Sequence, residues 1–112
     1  MHDYHADAPD RIAVQDALDI IGGFVRDGLP LITWEIHPHP GRISLDGHVG
    51  TITGHGSPAE VRDTVQEFAE WFGVRRQERR GREQDSTRAA TKIRDIEVEV
   101  WGVIARHEGG AR

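Results

Sequence analysis

An α+β domain in the order α-β-β-α-β-β, with two helices and a four-stranded, largely antiparallel sheet, follows from three patterns in these 112 residues. Apolar residues recur at helical spacing over 12–25 and 61–72; they alternate with polar ones over 31–37, 43–49, 87–93 and 96–104; and short turns join the alternating stretches in pairs.

In the first helix Asp10, after Pro9, supplies an N-cap, and Ile12, Val14, Ala17, Leu18, Ile21, Phe24 and Val25 make a broad apolar stripe before Gly28 and Pro30 stop it. Gly22-Gly23 inside it costs roughly 2 kcal/mol relative to alanine, which points to a close backbone approach, a bend, or tolerance near the helix end. From Leu31 to His37, Ile32, Trp34 and Ile36 share one face while Thr33, Glu35 and His37 share the other. Ile43, Leu45, Gly47 and Val49 continue the pattern after the turn Pro38-His39-Pro40-Gly41. A hairpin pairing Ile36 with Ile43, Trp34 with Leu45 and Ile32 with Gly47 keeps every apolar position on one side.

The second helix is the most sharply bounded element. Ser57 at the N-cap, Pro58 at the first helical position and Glu60 at the third form a capping box, and Gly73 supplies a left-handed C-terminal residue. Val61, Val65, Phe68, Ala69 and Phe72 take one face; Glu60, Arg62, Asp63, Gln66, Glu67 and Glu70 take the other. Val74 to Asp85, rich in Arg, Gln and Glu around Gly81, reads as a loop. Thr87–Ile93 and Ile96–Ile104 then form a second hairpin through Arg94-Asp95, with Ile93 facing Ile96, Thr91 facing Val98, Ala89 facing Val100, Lys92 beside Glu97 and Arg88 beside Trp101. One domain over 9–106 is expected, with a disordered N-terminus at 1–8 and a flexible tail at 107–112.

The absence of cysteine excludes disulfides and thiolate metal sites. Met1 precedes no basic and apolar leader, and no stretch approaches the roughly 18 apolar residues of a membrane span, so a cytoplasmic protein without membrane contact is expected. Thirteen of fourteen basic residues are Arg, with Lys92 the exception, a bias typical of GC-rich coding such as that of actinobacteria and their phages. Charge is unevenly placed: residues 1–74 carry twelve acids and four bases, residues 75–94 three acids and eight bases. An acidic body with one basic segment differs from a general nucleic-acid binder.

His37, His39, His48 and His55 resemble a set of zinc ligands, but the expected hairpin separates His37 from His48 by about six residues, roughly 20 Å at about 3.3 Å per residue. No metal site or cofactor is therefore assigned. Ser44, Asp46 and His48 share a strand face, yet a row on an open sheet lacks the oxyanion site and water exclusion that catalysis needs, and no enzyme is expected. Gly47, Gly50, Gly54 and Gly56 match neither phosphate-loop nor dinucleotide motifs and read as a bulge and a turn. Arg75, Arg76, Arg79, Arg80 and Arg82 are the candidates for contact with phosphate or an acidic partner, since guanidinium pairs bidentately with either, although Glu78, Glu83 and Asp85 interrupt the run and no aromatic accompanies it. Trp101 and Val103, with Leu31 and Ala90 as neighbours, fall on the sheet face opposite Val98 and Val100. Either the first helix covers that face, the favoured arrangement, or a partner or second copy does.

Leu31-Ile32-Thr33-Trp34, Asp46-Gly47, Ser57 to Arg62 and Val98-Glu99-Val100-Trp101 together resemble small uncharacterised proteins of actinobacteria and their phages over residues 29–105, a resemblance that implies no activity. The element order is similar to type III secretion chaperones, which dimerise and hold protein segments. The expectation is a non-enzymatic protein-protein interaction or regulatory module, with a homodimer as one form, anchored at Trp101. The alternative is a nucleic-acid-associated accessory or regulatory protein using segment 75–82.

Overall fold

The computed structural model describes residues 4–50 and 57–107. Two helices and five strands follow one another as α1 (Tyr4–Arg26), β1 (Thr33–His39), β2 (Arg42–His48), α2 (Pro58–Phe72), β3 (Gln77–Arg80), β4 (Gln84–Ile93) and β5 (Ile96–Arg106). The α+β class is as expected, but the sheet has five strands, not four, in the order β1-β2-β5-β4-β3, and it is mixed because β2 runs parallel to β5. The two hairpins thus meet edge to edge at the centre of one sheet.

β3 lies in the stretch expected to be a loop. Gln77–Arg80 pairs antiparallel with residues 85–88 of β4, from Gln77 opposite Arg88 to Arg80 opposite Asp85. Its residues are all exposed, so no apolar alternation marks it. It is held instead by charge: Glu78 accepts from Arg62 of α2 at 2.6 Å and from Arg76 at 2.5 Å, and Arg76 also donates to Gln66 and to the buried hydroxyl of Thr87.

The second hairpin has the expected register throughout, from Ile93 opposite Ile96 to Arg88 opposite Trp101. Arg94 and Asp95 both adopt positive φ, 52° and 65°, the pattern of a tight two-residue hairpin turn. The first hairpin is shifted by two residues: Ile36 stands opposite Leu45 and Trp34 opposite Gly47, because the chain turns on Pro40-Gly41 alone, with Gly41 at φ 78°. Pro followed by left-handed Gly is the sequence of a type II turn. A shift of two keeps every side chain on its expected face.

Both helices lie on one face of the sheet, α1 over β1 and β2, and α2 over β4 and β5. Between helices and sheet Phe24 packs against Trp34, Phe68 and Trp71, and the buried core continues through Val61, Val65, Leu45, Val98 and Val100. The first helix therefore does not cover the Trp101 face, contrary to the favoured expectation. It also begins earlier than expected, at Tyr4, so that Pro9 falls inside it, in the second turn, where the ring removes one intrahelical hydrogen bond. Around Gly22 and Gly23 a Cβ would meet only the flexible end of Arg26, so no close backbone approach requires them. The expected tail is docked at its first residue, since His107 donates its backbone N–H to Glu83 and places its ring 3.1 Å from Asp85. Residues 1–3 and 108–112, like His55, Gly54 and Gly56, lie outside the described residues.

Candidate functional site

Strand alternation delivers a polar surface on the face opposite the helices. β1 contributes Glu35 and His37; β2 contributes Ser44, Asp46 and His48; β5 contributes Glu97, Glu99 and Trp101; β4 contributes Ser86, Arg88 and Lys92; β3 contributes Arg79. The acids sit on β1, β2 and β5, and the bases on β4 and β3 with Arg42 at the start of β2, so charges of both signs are spread across the face. Two open depressions mark it, one of about 660 Å³ beside His37, His39 and Lys92, the other of about 350 Å³ beside Arg79 and Trp101. Asp46, Arg88 and Glu99 line both.

Trp101 is half-buried at the centre of the face. Its indole N–H donates to Asp46 Oδ1 at 2.8 Å, and its ring stacks on His48 with centroids 4.3 Å apart and planes at 29°. These contacts come from the parallel β2–β5 pairing, which sets His48 directly beside Trp101. Arg88 Nε lies 2.7 Å from Glu99, and Arg42 lies 3.6 Å from Glu97. His37 Nε2 stands 3.1 Å from Glu35 and 3.7 Å from Asp46.

Ser44, Asp46 and His48 do share a face, but their partners lie outside the trio: Ser44 engages the ring of His39 at 3.0 Å, while Asp46 and His48 both engage Trp101. No proton path joins the three. His37 and His48 stand four register positions apart, not six, still roughly 13 Å at about 3.3 Å per residue, too far to share an ion.

The arginines expected to act together are dispersed. Arg79 reaches the open face, Arg76 is tied beneath α2, and Arg75, Arg80 and Arg82 are exposed elsewhere on β3 and its connections. Val103 is half-buried on β5 beyond Trp101, whereas Leu31, 73 % exposed, precedes the β1–β2 ladder and lies off the centre of the face. The grouping of Glu35, His37 and Asp46 is not visible in the expected register, which places Thr33 opposite Asp46; the Pro40-Gly41 turn is the signal that would have revealed it.

Fold and face together define a two-layer α+β domain whose sheet, among the described residues, keeps one side free of helices. No family model, curated protein or solved structure matches the chain. Among the described residues no helix is long and apolar enough to cross a membrane.

Proposed function

We propose that this protein is a non-enzymatic interaction module of the cytoplasm of an actinobacterium or its phage, which binds another protein through the open face of its sheet. The observation that carries this reading is Trp101, a large aromatic held rigid by Asp46 and His48 on a face that neither helix covers. Tryptophan that is already ordered contributes much contact area at little entropic cost. The uneven spread of charge, with the acids on β1, β2 and β5 and most of the bases on β4 and β3, favours one orientation of a partner. Strand addition at the edges is disfavoured: β1 carries Pro38, and β3 is four residues long and charged. The dispersal of the arginines supports protein over nucleic acid as the ligand, because a backbone-tracking groove needs its cations on one surface.

Self-association belongs to α1. Leu18 and Val25 stand seven residues apart on the flank of the helix, the repeat of a helix-pairing seam, beside Val14 and Ile21, which pack against the core. Leu18 and Val25 are 51 % and 52 % exposed.

The test is a pull-down from host lysate with and without nuclease, comparing the wild-type chain with Trp101→Ala. A stoichiometric, nuclease-resistant protein captured by the first and lost by the second is the expected result. Recovery of nucleic acid, with proteins lost on digestion, overturns the reading.

A further inference from the structure

We propose that Glu35, His37 and Asp46 form a zinc-binding site on the open sheet face. Glu35 and His37 are two residues apart on β1 and so share a face, while Asp46 stands directly opposite Glu35 on β2. One nitrogen, His37 Nε2, faces both carboxylates, 3.1 Å from Glu35 Oε1 and 3.7 Å from Asp46 Oδ2, and the ligand atoms of the three residues all lie within 4.8 Å of one another. Zinc bonded at about 2.0–2.1 Å in a tetrahedron holds its ligand atoms about 3.3 Å apart. The three atoms therefore surround the ion after only small side-chain adjustments, with the fourth position open to solvent.

Charge balance points the same way. Like charges directly opposite across an antiparallel pair are destabilising, and the parallel pairing adds Glu99 beside Asp46, so three acids run in a row across β1, β2 and β5. The neighbouring guanidiniums stand closest to other acids, Arg88 to Glu99 at 2.7 Å, where its buried Nε has no hydrogen-bond partner, and Arg42 to Glu97 at 3.6 Å. Among the described residues no arginine or lysine pairs with Glu35 or Asp46, and a divalent cation supplies the missing charge. The site also has an outer layer: Asp46 gives Oδ1 to the Trp101 indole and keeps Oδ2 for His37. Carboxylate ligands oriented in this way by a second hydrogen bond are a regular feature of metal sites. A nitrogen with two carboxylate oxygens suits zinc better than the oxygen-only preference of calcium or magnesium. The site stands whether or not the face also binds a protein.

Zinc chloride titrated calorimetrically into the untagged full chain at pH 7.5 tests the site. The expected result is one equivalent bound, with affinity at least tenfold weaker in Glu35→Gln and in His37→Gln, and unchanged in His39→Gln, whose ring is occupied by Ser44. Glu35 is exposed on an edge strand, so its variant keeps the fold, which circular dichroism confirms for each protein. No heat of binding in the wild-type chain overturns the site, as does binding that survives either ligand substitution or that falls equally in His39→Gln.

Discussion

Trp101 and Asp46 lie on neighbouring parallel strands and are joined by one hydrogen bond, indole N–H to carboxylate, at 2.8 Å. It ties the two hairpins together across the β2–β5 border, on the face that neither α1 nor α2 covers. A bond to a charged acceptor is worth roughly 1.5–3 kcal/mol when buried, and partial exposure of both groups reduces this to about 1 kcal/mol. Trp101→Phe and Asp46→Ala, measured singly and together by urea unfolding, should give a coupling energy of about 1 kcal/mol. The cycle is needed because Asp46→Ala also removes the repulsion from Glu35, which masks part of its cost.

Arg76 and Arg79 should separate in stability. Arg76 donates to Glu78, Gln66 and Thr87, and Thr87 is fully buried. Arg76→Ala leaves that hydroxyl without its donor at a cost of about 1–3 kcal/mol. Arg79 is exposed, and Arg79→Ala should change the unfolding free energy by no more than about 0.5 kcal/mol. Equal costs by denaturant titration would refute the division of the arginines into structural and surface members.

Acid should loosen the β3 side of the sheet. The hydrogen bond from Arg62, then that from Arg76, holds the Glu78 carboxylate below the ordinary 4.5. The His107 ring, then the Gly81 N–H, holds Asp85 below 3.8. A carboxylate depressed in the folded state releases its proton more readily there than in the unfolded chain, so its stabilisation is present above the ordinary value and is lost as pH falls through the folded one. Glu78→Gln should therefore melt lower than wild type at pH 7, and the gap should close as both are taken below pH 4.5. A gap that persists unchanged in acid would assign the effect to packing.

Much of this architecture is legible in the residues, and the parts that are not share a cause. The β4–β5 hairpin is readable to the residue because Arg94-Asp95 leaves one turn length that aligns Ile93 with Ile96. The β1–β2 hairpin is not, because Pro38-His39-Pro40-Gly41 accommodates a turn of four residues or of two, and both keep Trp34 and Ile36 inside. β3 has no apolar pattern; its order comes from Arg62 on a helix earlier in the chain and from Thr87 on the strand after it. The β2–β5 pairing is wholly non-local. Strand parity sufficed to place Trp101 on the face opposite Val98 and Val100 but not to show that α1 leaves that face open, while its partners Asp46 and His48, and the meeting of Glu35, His37 and Asp46, depend on register and strand order.

Leu18→Glu should act on assembly and leave the fold intact. The side chain is half-exposed on the flank of α1, whereas the core contacts of that helix are made by Ala17, Ile20 and Phe24, with Val14 and Ile21 packed against them. A charge in the middle of an apolar seam opposes pairing with a second copy. Light scattering on a sizing column should show the wild-type chain as a dimer at high concentration and the variant as a monomer with the same circular dichroism spectrum. A monomeric wild type across the accessible range would remove α1 from the interaction surfaces.

Gly102→Ala should reveal how closely α2 rides on β5. A Cβ at Gly102 would stand 2.5 Å from Val61 Cγ1 on the helix, 3.2 Å from Val49 Cβ and 3.3 Å from the Val49 carbonyl. The first contact is a side-chain tip, but Val61 is buried and Val49 is fixed by its own N–H bond to the Trp101 carbonyl at 2.8 Å, so neither side can yield freely. Overpacking of this kind costs about 1–3 kcal/mol, read as a lower urea midpoint with an unchanged slope. Val61→Ala vacates the position the new methyl would take. The double variant should be more stable than the sum of the two single losses implies, because each change fills or relieves the defect the other makes. Strict additivity would mean that the helix shifts as a body and that Gly102 does not set its distance from the sheet.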